Sequence, residues 1–187
     1  MEADKTLVRE KMLEWDRLLD GYQLPGWDEF PELPLYMDQV IYLMNQYLSP
    51  LYQAAEQKLV TPAMINNYVK LGIIPRPAKK RYGRVHLAFL IMVCLLKQTI
   101  SIVEIKKLIP AALEEEDTKS LYESFLAVFQ GGKNTFLESV RRDAAPVFEP
   151  NGASVTSFVF RAAVASLLSQ NLAQQLVGLY PEAKAEK

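Results

Sequence analysis

One stretch leaves this chain little freedom in how it folds: LAFLIMVCLL, residues 87–96, ten apolar residues in unbroken succession. A membrane-spanning helix needs roughly 20 such residues, so the run is too short to span a bilayer. With its flanks, from about Arg84 to Thr99, it predicts a long buried helix, because a helix apolar on every side must be covered by other elements. The rest of the chain can supply the cover: of 187 residues half are hydrophobic and 23% are charged, a globular composition that buries an ordinary core without disulfides. The lone cysteine, Cys94, falls inside the run and reads as an inert core thiol. The first residues carry Glu2, Asp4 and Glu10 with no apolar segment, unlike a signal peptide. The expectation is a soluble, cytoplasmic protein with no membrane partner.

The remaining pattern is helical. Leu7, Val8, Met12, Trp15, Leu18 and Leu19 recur at helical spacing over residues 1–20, and Gly21 is placed to end that helix. Residues 21–34 hold three prolines and two glycines, predicting a loop tacked onto the surface by Tyr22, Trp27 and Phe30. A helix is expected from Tyr36 to Leu48, with Val40, Ile41, Met44 and Leu48 inward, broken at Ser49-Pro50; residues 51–58 are read as a further helical segment. Thr61-Pro62 is a cap followed by a first-turn proline, and Met64, Ile65, Tyr68 and Leu71 are expected to face inward before Gly72 stops the turn. Residues 73–83 allow a two-stranded ribbon. Ser101 and Glu104 form a capping box for the next helix. Helix over 118–142, interrupted at Gly131-Gly132, and a final helix over 154–179 complete the pattern.

Charge is segregated. From Lys58 to Lys107 there are ten basic residues against the single acid Glu104, a surplus of nine, so the rest of the chain carries −10 to give −1 overall. Such asymmetry points to a polyanion or to the chain's own acidic flanks. A short helix with small and polar outward residues followed by an extended basic segment is the order of a winged helix-turn-helix, whose second helix enters the major groove. Asn66 and Asn67 suit adenine edges, though a solvated face explains them equally well; Lys70, Arg76, Lys79, Lys80, Arg81 and Arg84 suit phosphates.

The segments MINNYVKLGIIPRP and KKRYGRVHLAFLIMVCLLKQTISIVEIKKLI resemble the DNA-binding head of MerR-type regulators. The matching positions are Tyr68, Gly72-Ile73, Arg81-Tyr82, Leu87 with Leu90, and Ser101 through Ile105. The family's recognition-helix arginine and tyrosine fall at Asn66 and Asn67, and no heptad run follows. The whole chain, including YMDQVIYLMNQYLSPL, also resembles a bacterial family of unknown function, the YkrK-like family. The YkrK-like resemblance implies a regulator. With the helical pattern, the MerR-type resemblance gives the expected fold, all-α and mostly helical: a MerR-like winged helix-turn-helix at 36–110, an N-terminal helix and Pro/Trp-rich arm at 1–35, and a helical region at 111–187 for dimerisation or ligand binding.

The expected function is sequence-specific DNA binding in transcription regulation, and the expected partners are double-stranded DNA, a second copy of the chain and an unidentified small-molecule effector. The DNA-contact candidates are Thr61, Asn66, Asn67, Tyr68, Lys70, Arg76, Lys79, Lys80, Arg81, Tyr82, Arg84 and His86. Tyr68 and Tyr82 could contact phosphate through their hydroxyls, but the favoured reading packs their rings and leaves only the tips wet; His86 is read as a helix cap or a phosphate-facing residue rather than a metal ligand. The alternative function is a protein-interaction or small-ligand module without DNA binding. No phosphate-binding glycine loop, Gly-x-Ser-x-Gly or His-Glu-x-x-His motif occurs, so no enzyme and no cofactor are expected. One histidine and one cysteine cannot make a closed zinc site.

Overall fold

A computed structural model describes residues 4–52, 59–109, 113–149 and 152–181. Among the described residues there are seven α-helices: α1 (Lys5–Gly21), α2 (Met37–Leu48), α3 (Pro62–Lys70), α4 (Arg84–Leu96), α5 (Ile102–Leu108), α6 (Glu115–Ala144) and α7 (Val155–Val177). Short 3-10 turns lie at Trp27–Glu29, Ser49–Leu51 and Ala145–Phe148. No strand forms among the described residues; the expected ribbon is reduced to two isolated antiparallel bridges, Ala78–Arg81 and Leu35–Tyr82. The helical segment expected over 51–58 lies, from residue 53 on, outside the described residues.

The chain divides into two compact units, 24–127 with 172–187 and 1–23 with 128–171. The larger is organised by α4, whose residues Leu87 to Cys94 are all buried. Against it α2 sets Val40, Met44 and Leu48, an i, i+4, i+8 ridge with no solvent exposure, while Ile41 is only half-buried. Ile65 and Tyr68 of α3 and Ile105 of α5 add to the core. The arm before α2 belongs to this core and is not a surface attachment. Trp27 and Phe30 are 4% and 2% exposed, and Phe30 packs 5.2 Å from the Tyr122 ring. Tyr122, on the first half of α6, donates its hydroxyl to the Pro25 carbonyl at 2.7 Å. Apolar aromatic area outweighs the proline-rich backbone's preference for the surface, which is why 24–35 group with the following helices.

The smaller unit pairs α1 with the second half of α6. Trp15 meets Phe136 and Tyr22 meets Phe129 edge to face, at 6.0 and 6.1 Å. Arg141 grips both oxygens of Asp16, at 2.8 and 3.0 Å, and reaches Asp20 at 2.9 Å. Lys133 is buried, and its ammonium donates to the Asp20 and Tyr22 carbonyls at 3.1 and 2.7 Å, satisfying the end of α1. These contacts explain a departure from expectation: α6 runs unbroken through Gly131-Gly132. Anchors on either side hold the helix through a pair that costs about 1 kcal/mol per glycine relative to alanine.

Both glycines are exposed and an added Cβ would meet nothing within 4 Å. Gly131→Ala and Gly132→Ala are therefore expected to raise stability by about 0.5–1 kcal/mol each. Urea or thermal unfolding checks this, and a loss of stability would show that the helix needs flexibility there.

Candidate nucleic-acid interface

α3 is built to be short. Thr61 accepts the Met64 amide at 3.3 Å and Pro62 occupies the first turn. At the other end Gly72 takes φ +65°, with Gly72 N–H donating to Val69 O and Ile73 N–H to Tyr68 O, the paired bonds of a Schellman stop. Lys106 of α5 donates to the Leu71 carbonyl at 2.9 Å, capping the same end. Ile65 and Tyr68 face the core, so Asn66, Asn67 and Lys70 share the opposite face and are exposed. Leu71, expected inward, is instead 40% exposed, because it sits at the C-cap where the helix face turns outward.

The basic segment after α3 ends in a tight turn. Arg81 N–H donates to the Ala78 carbonyl at 2.9 Å, and the two residues between them, Lys79 and Lys80, adopt φ 51° and 60°. Positive φ at both central positions is the I′ geometry that Asn-Gly normally supplies. Two lysines in left-handed conformations cost on the order of 1 kcal/mol or more each, yet they hold two ammonium groups at an exposed tip. The turn is anchored behind. Tyr82 exchanges both backbone bonds with Leu35, at 2.8 and 2.9 Å. The Arg81 guanidinium lies 4.2 Å over the Tyr36 ring, with Nη2 donating to the Tyr36 hydroxyl at 2.6 Å.

The twelve candidate residues thus separate. Asn66, Asn67, Lys70, Arg76, Lys79 and Lys80 are exposed, and their side chains make no hydrogen bond or ion pair among the described residues. The other six are engaged in the fold. Thr61 is a cap. Tyr68 is 6% exposed, and burial pushes its phenol up to about 12, with Cys94 and Tyr52 adding to the shift. Tyr82 is buried, and desolvation raises its pKa. Arg81 is spent on Tyr36, and Arg84 on the Phe30 carbonyl (3.3 Å) and Glu32 (3.7 Å). His86 caps α4: its Nδ1 accepts the Gly83 amide at 3.0 Å, and its buried Nε2 has no partner among the described residues. Tyr68 and Tyr82 thus pack into the core, and His86 serves as a cap. Sequence inspection missed Tyr36 and Lys106, which act on partners 45 and 35 residues away and leave no local signal.

Among the described residues no group of three His, Cys, Asp or Glu side chains could hold a metal ion, and no helix is long and apolar enough to cross a membrane. Cys94 is buried and its thiol is pushed up to about 11 by desolvation. In the smaller unit a groove of about 360 Å³ runs between Met12, Val140 and Phe148. Its arginines are already used, Arg141 on Asp16 and Arg9 over the Phe148 ring at 5.7 Å.

The arrangement defines an all-helical domain with one short, exposed, polar helix and a rigid basic turn. The chain belongs to the family described as Domain of unknown function (DUF1836), whose model matches residues 25–125, nearly the bounds of the continuous segment 24–127 of the larger unit. No curated protein and no solved structure matches the chain.

Replacing Lys79-Lys80 by Asn-Gly is expected to stabilise the fold by about 1 kcal/mol or more, since these residues accept φ > 0; urea unfolding measures it. A second expectation concerns His86, the only histidine. Burial holds its pKa below the usual value, and the Gly83 amide on Nδ1 favours the same neutral ring. The unfolded chain takes up this proton near pH 6.5, the folded chain only at lower pH. The contribution to stability is therefore complete above about pH 6.5 and is lost as pH falls through the folded value. Urea midpoints at pH 7.5 and 6.0 should differ in the native protein and converge in His86→Gln.

Proposed function

We propose that this protein is a sequence-specific DNA-binding transcriptional regulator, with a MerR-like winged helix-turn-helix head formed by α2, α3 and the turn at 78–81. On this reading the chain is of the YkrK-like kind and acts in the cytoplasm. The observation that carries it is the division among the basic and polar residues. Those that can reach outward, Asn66, Asn67, Lys70, Arg76, Lys79 and Lys80, have no partner among the described residues, while their neighbours Arg81 and Arg84 are consumed in fixing the turn and the arm. A helix with small outward side chains is about 10–12 Å across and suits the roughly 12 Å width of the major groove. Asn66 and Asn67 would read base edges, and the exposed Leu71 would meet a thymine methyl. Lys79 and Lys80 would hold phosphate and set the register. Their strained turn supports the reading, since strain kept at exposed residues signals selection for something other than stability.

Binding to random-sequence duplex should fall with salt at a log–log slope near −4, for about four phosphate contacts by Lys70, Arg76, Lys79 and Lys80. With a duplex selected from a randomised pool, Asn66→Ala or Asn67→Ala should cost roughly 1–3 kcal/mol while leaving random duplex unaffected. The Lys79-Lys80 to Asn-Gly change should weaken both alike and reduce the slope by about two. Titration by fluorescence anisotropy reads all three. No duplex binding at low salt would remove the proposal and leave an acidic protein surface as the counterpart of these cations.

A further inference from the structure

One end of the groove between α1 and the close of α6 carries a charge with no counter-ion. Arg9, Met12, Leu13 and Asp16 recur at helical spacing, so they line one face of α1 over about 10 Å. Val140, Arg141, Ala144, Ala145 and Phe148 complete the lining, and all nine residues belong to the smaller unit. The volume of about 360 Å³ lies in the range of small-molecule sites, which are mostly apolar with a few placed polar groups. The two cations of the lining differ. Arg141 is neutralised by Asp16 and Asp20. Arg9 is exposed and makes no hydrogen bond or ion pair among the described residues; its contact is the Phe148 ring, 5.7 Å away. A cation–π contact draws on the charge and leaves the five N–H donors of the guanidinium unused. Phe148 thus holds a planar fork of donors at one end of an apolar slot, and the Arg141–Asp16 pair closes the other end with its charges cancelled.

We infer that this groove binds a medium-chain carboxylate, with the acyl chain along Met12, Leu13, Val140 and Ala145 and the carboxylate accepting two bonds from Arg9. Charge selects the head. Arg9 is the one cation of the lining without an anion among the described residues, and its fork matches both oxygens of a carboxylate. Shape selects the tail. A slot about 10 Å long with aliphatic walls suits an extended chain, and the flexible Met12 side chain adapts to it. A neutral amphiphile leaves the guanidinium without a counter-ion, and an alkylammonium is repelled by it. Half of the groove is α1, outside the 111–187 region where ligand binding is expected from the sequence. No residue of α3 or of the basic turn takes part, so the inference is independent of DNA binding and is tested without DNA.

Isothermal titration calorimetry on the full chain should show a single saturable site for octanoate. Affinity should rise up to about fourfold for each methylene added from hexanoate to octanoate, and level off once the chain outgrows the groove. Octanol should bind more weakly and octyltrimethylammonium not at all. Arg9→Gln should weaken octanoate by about fivefold or more and leave octanol unchanged. Arg9→Glu should reverse the preference, admitting octyltrimethylammonium and excluding octanoate, which a merely structural arginine would not do. Ala145→Phe, at an exposed position, should fill the groove and abolish binding of both octanoate and octanol. Should that variant fail to fold, Leu13→Gln, 48% exposed in the native chain, should weaken both alike. The absence of saturable octanoate binding, equal affinity for octanoate and octanol, or binding indifferent to the Arg9 and groove variants would each overturn the inference. Several octanoates per chain, retained in every variant, would mark adsorption to exposed apolar surface such as that of α7 and would do the same.

Discussion

The larger unit depends on the burial of α4 on all sides. A helix with Leu87 through Cys94 entirely out of water has no face to spare, so every neighbour is positioned by contact with it. α2 lies along it through a ridge of three fully buried residues, and Tyr52 donates its hydroxyl to the Cys94 carbonyl at 3.2 Å. The basic turn enters α4 directly, through the Gly83–His86 cap, and α5 leaves from its far end after Ile100. The exposed helix α3 is held at second hand: Tyr68 reaches the core beside α4, with Lys97 at 6.0 Å over its ring, and Lys106 closes its last carbonyl. A surface that presents few apolar groups is thus fixed by the most apolar element in the chain.

The basic residues divide along chemical lines. The two arginines flanking the turn do structural work suited to a planar, multi-donor group: Arg81 stacks on Tyr36 while donating to its hydroxyl, and Arg84 reaches a carbonyl and a carboxylate at once. The lysines at the tip, with compact charges on flexible stems, remain outward. Net charge along the sequence does not reveal this division, because both kinds count equally in the surplus.

Local signals were legible in the sequence. Thr61-Pro62, the Ser101–Glu104 box and the Gly72 stop each bring sequence-adjacent groups together, and each stands where its residues placed it. The apolar run at 87–96 disclosed the buried helix for the same reason. Long-range compensation was not legible. Nothing near Trp27 and Phe30 tells that Tyr122 waits to receive them, and nothing near Gly131-Gly132 tells that Lys133 will be tied to α1. Tyr68 and Tyr82 were open between wet and buried roles, and α4's apolar bulk drew them in. Of the candidate interface, residue types were readable, whereas which cations stay free depended on partners such as Tyr36, 45 residues from Arg81.

The pairing of α1 with α6 carries a consequence for how the chain folds. Its bonds join residues separated by 111 to 125 positions, from Lys133–Tyr22 to Arg141–Asp16. Closing a loop of that length early costs entropy that no local contact returns, whereas helices α2 to α5 can associate over far shorter spans. Once residues 24–127 have condensed, the two ends of the chain are already leashed to one body and the effective loop is short. The connectivity therefore favours an order in which the segment between forms first and α1 docks onto α6 afterwards.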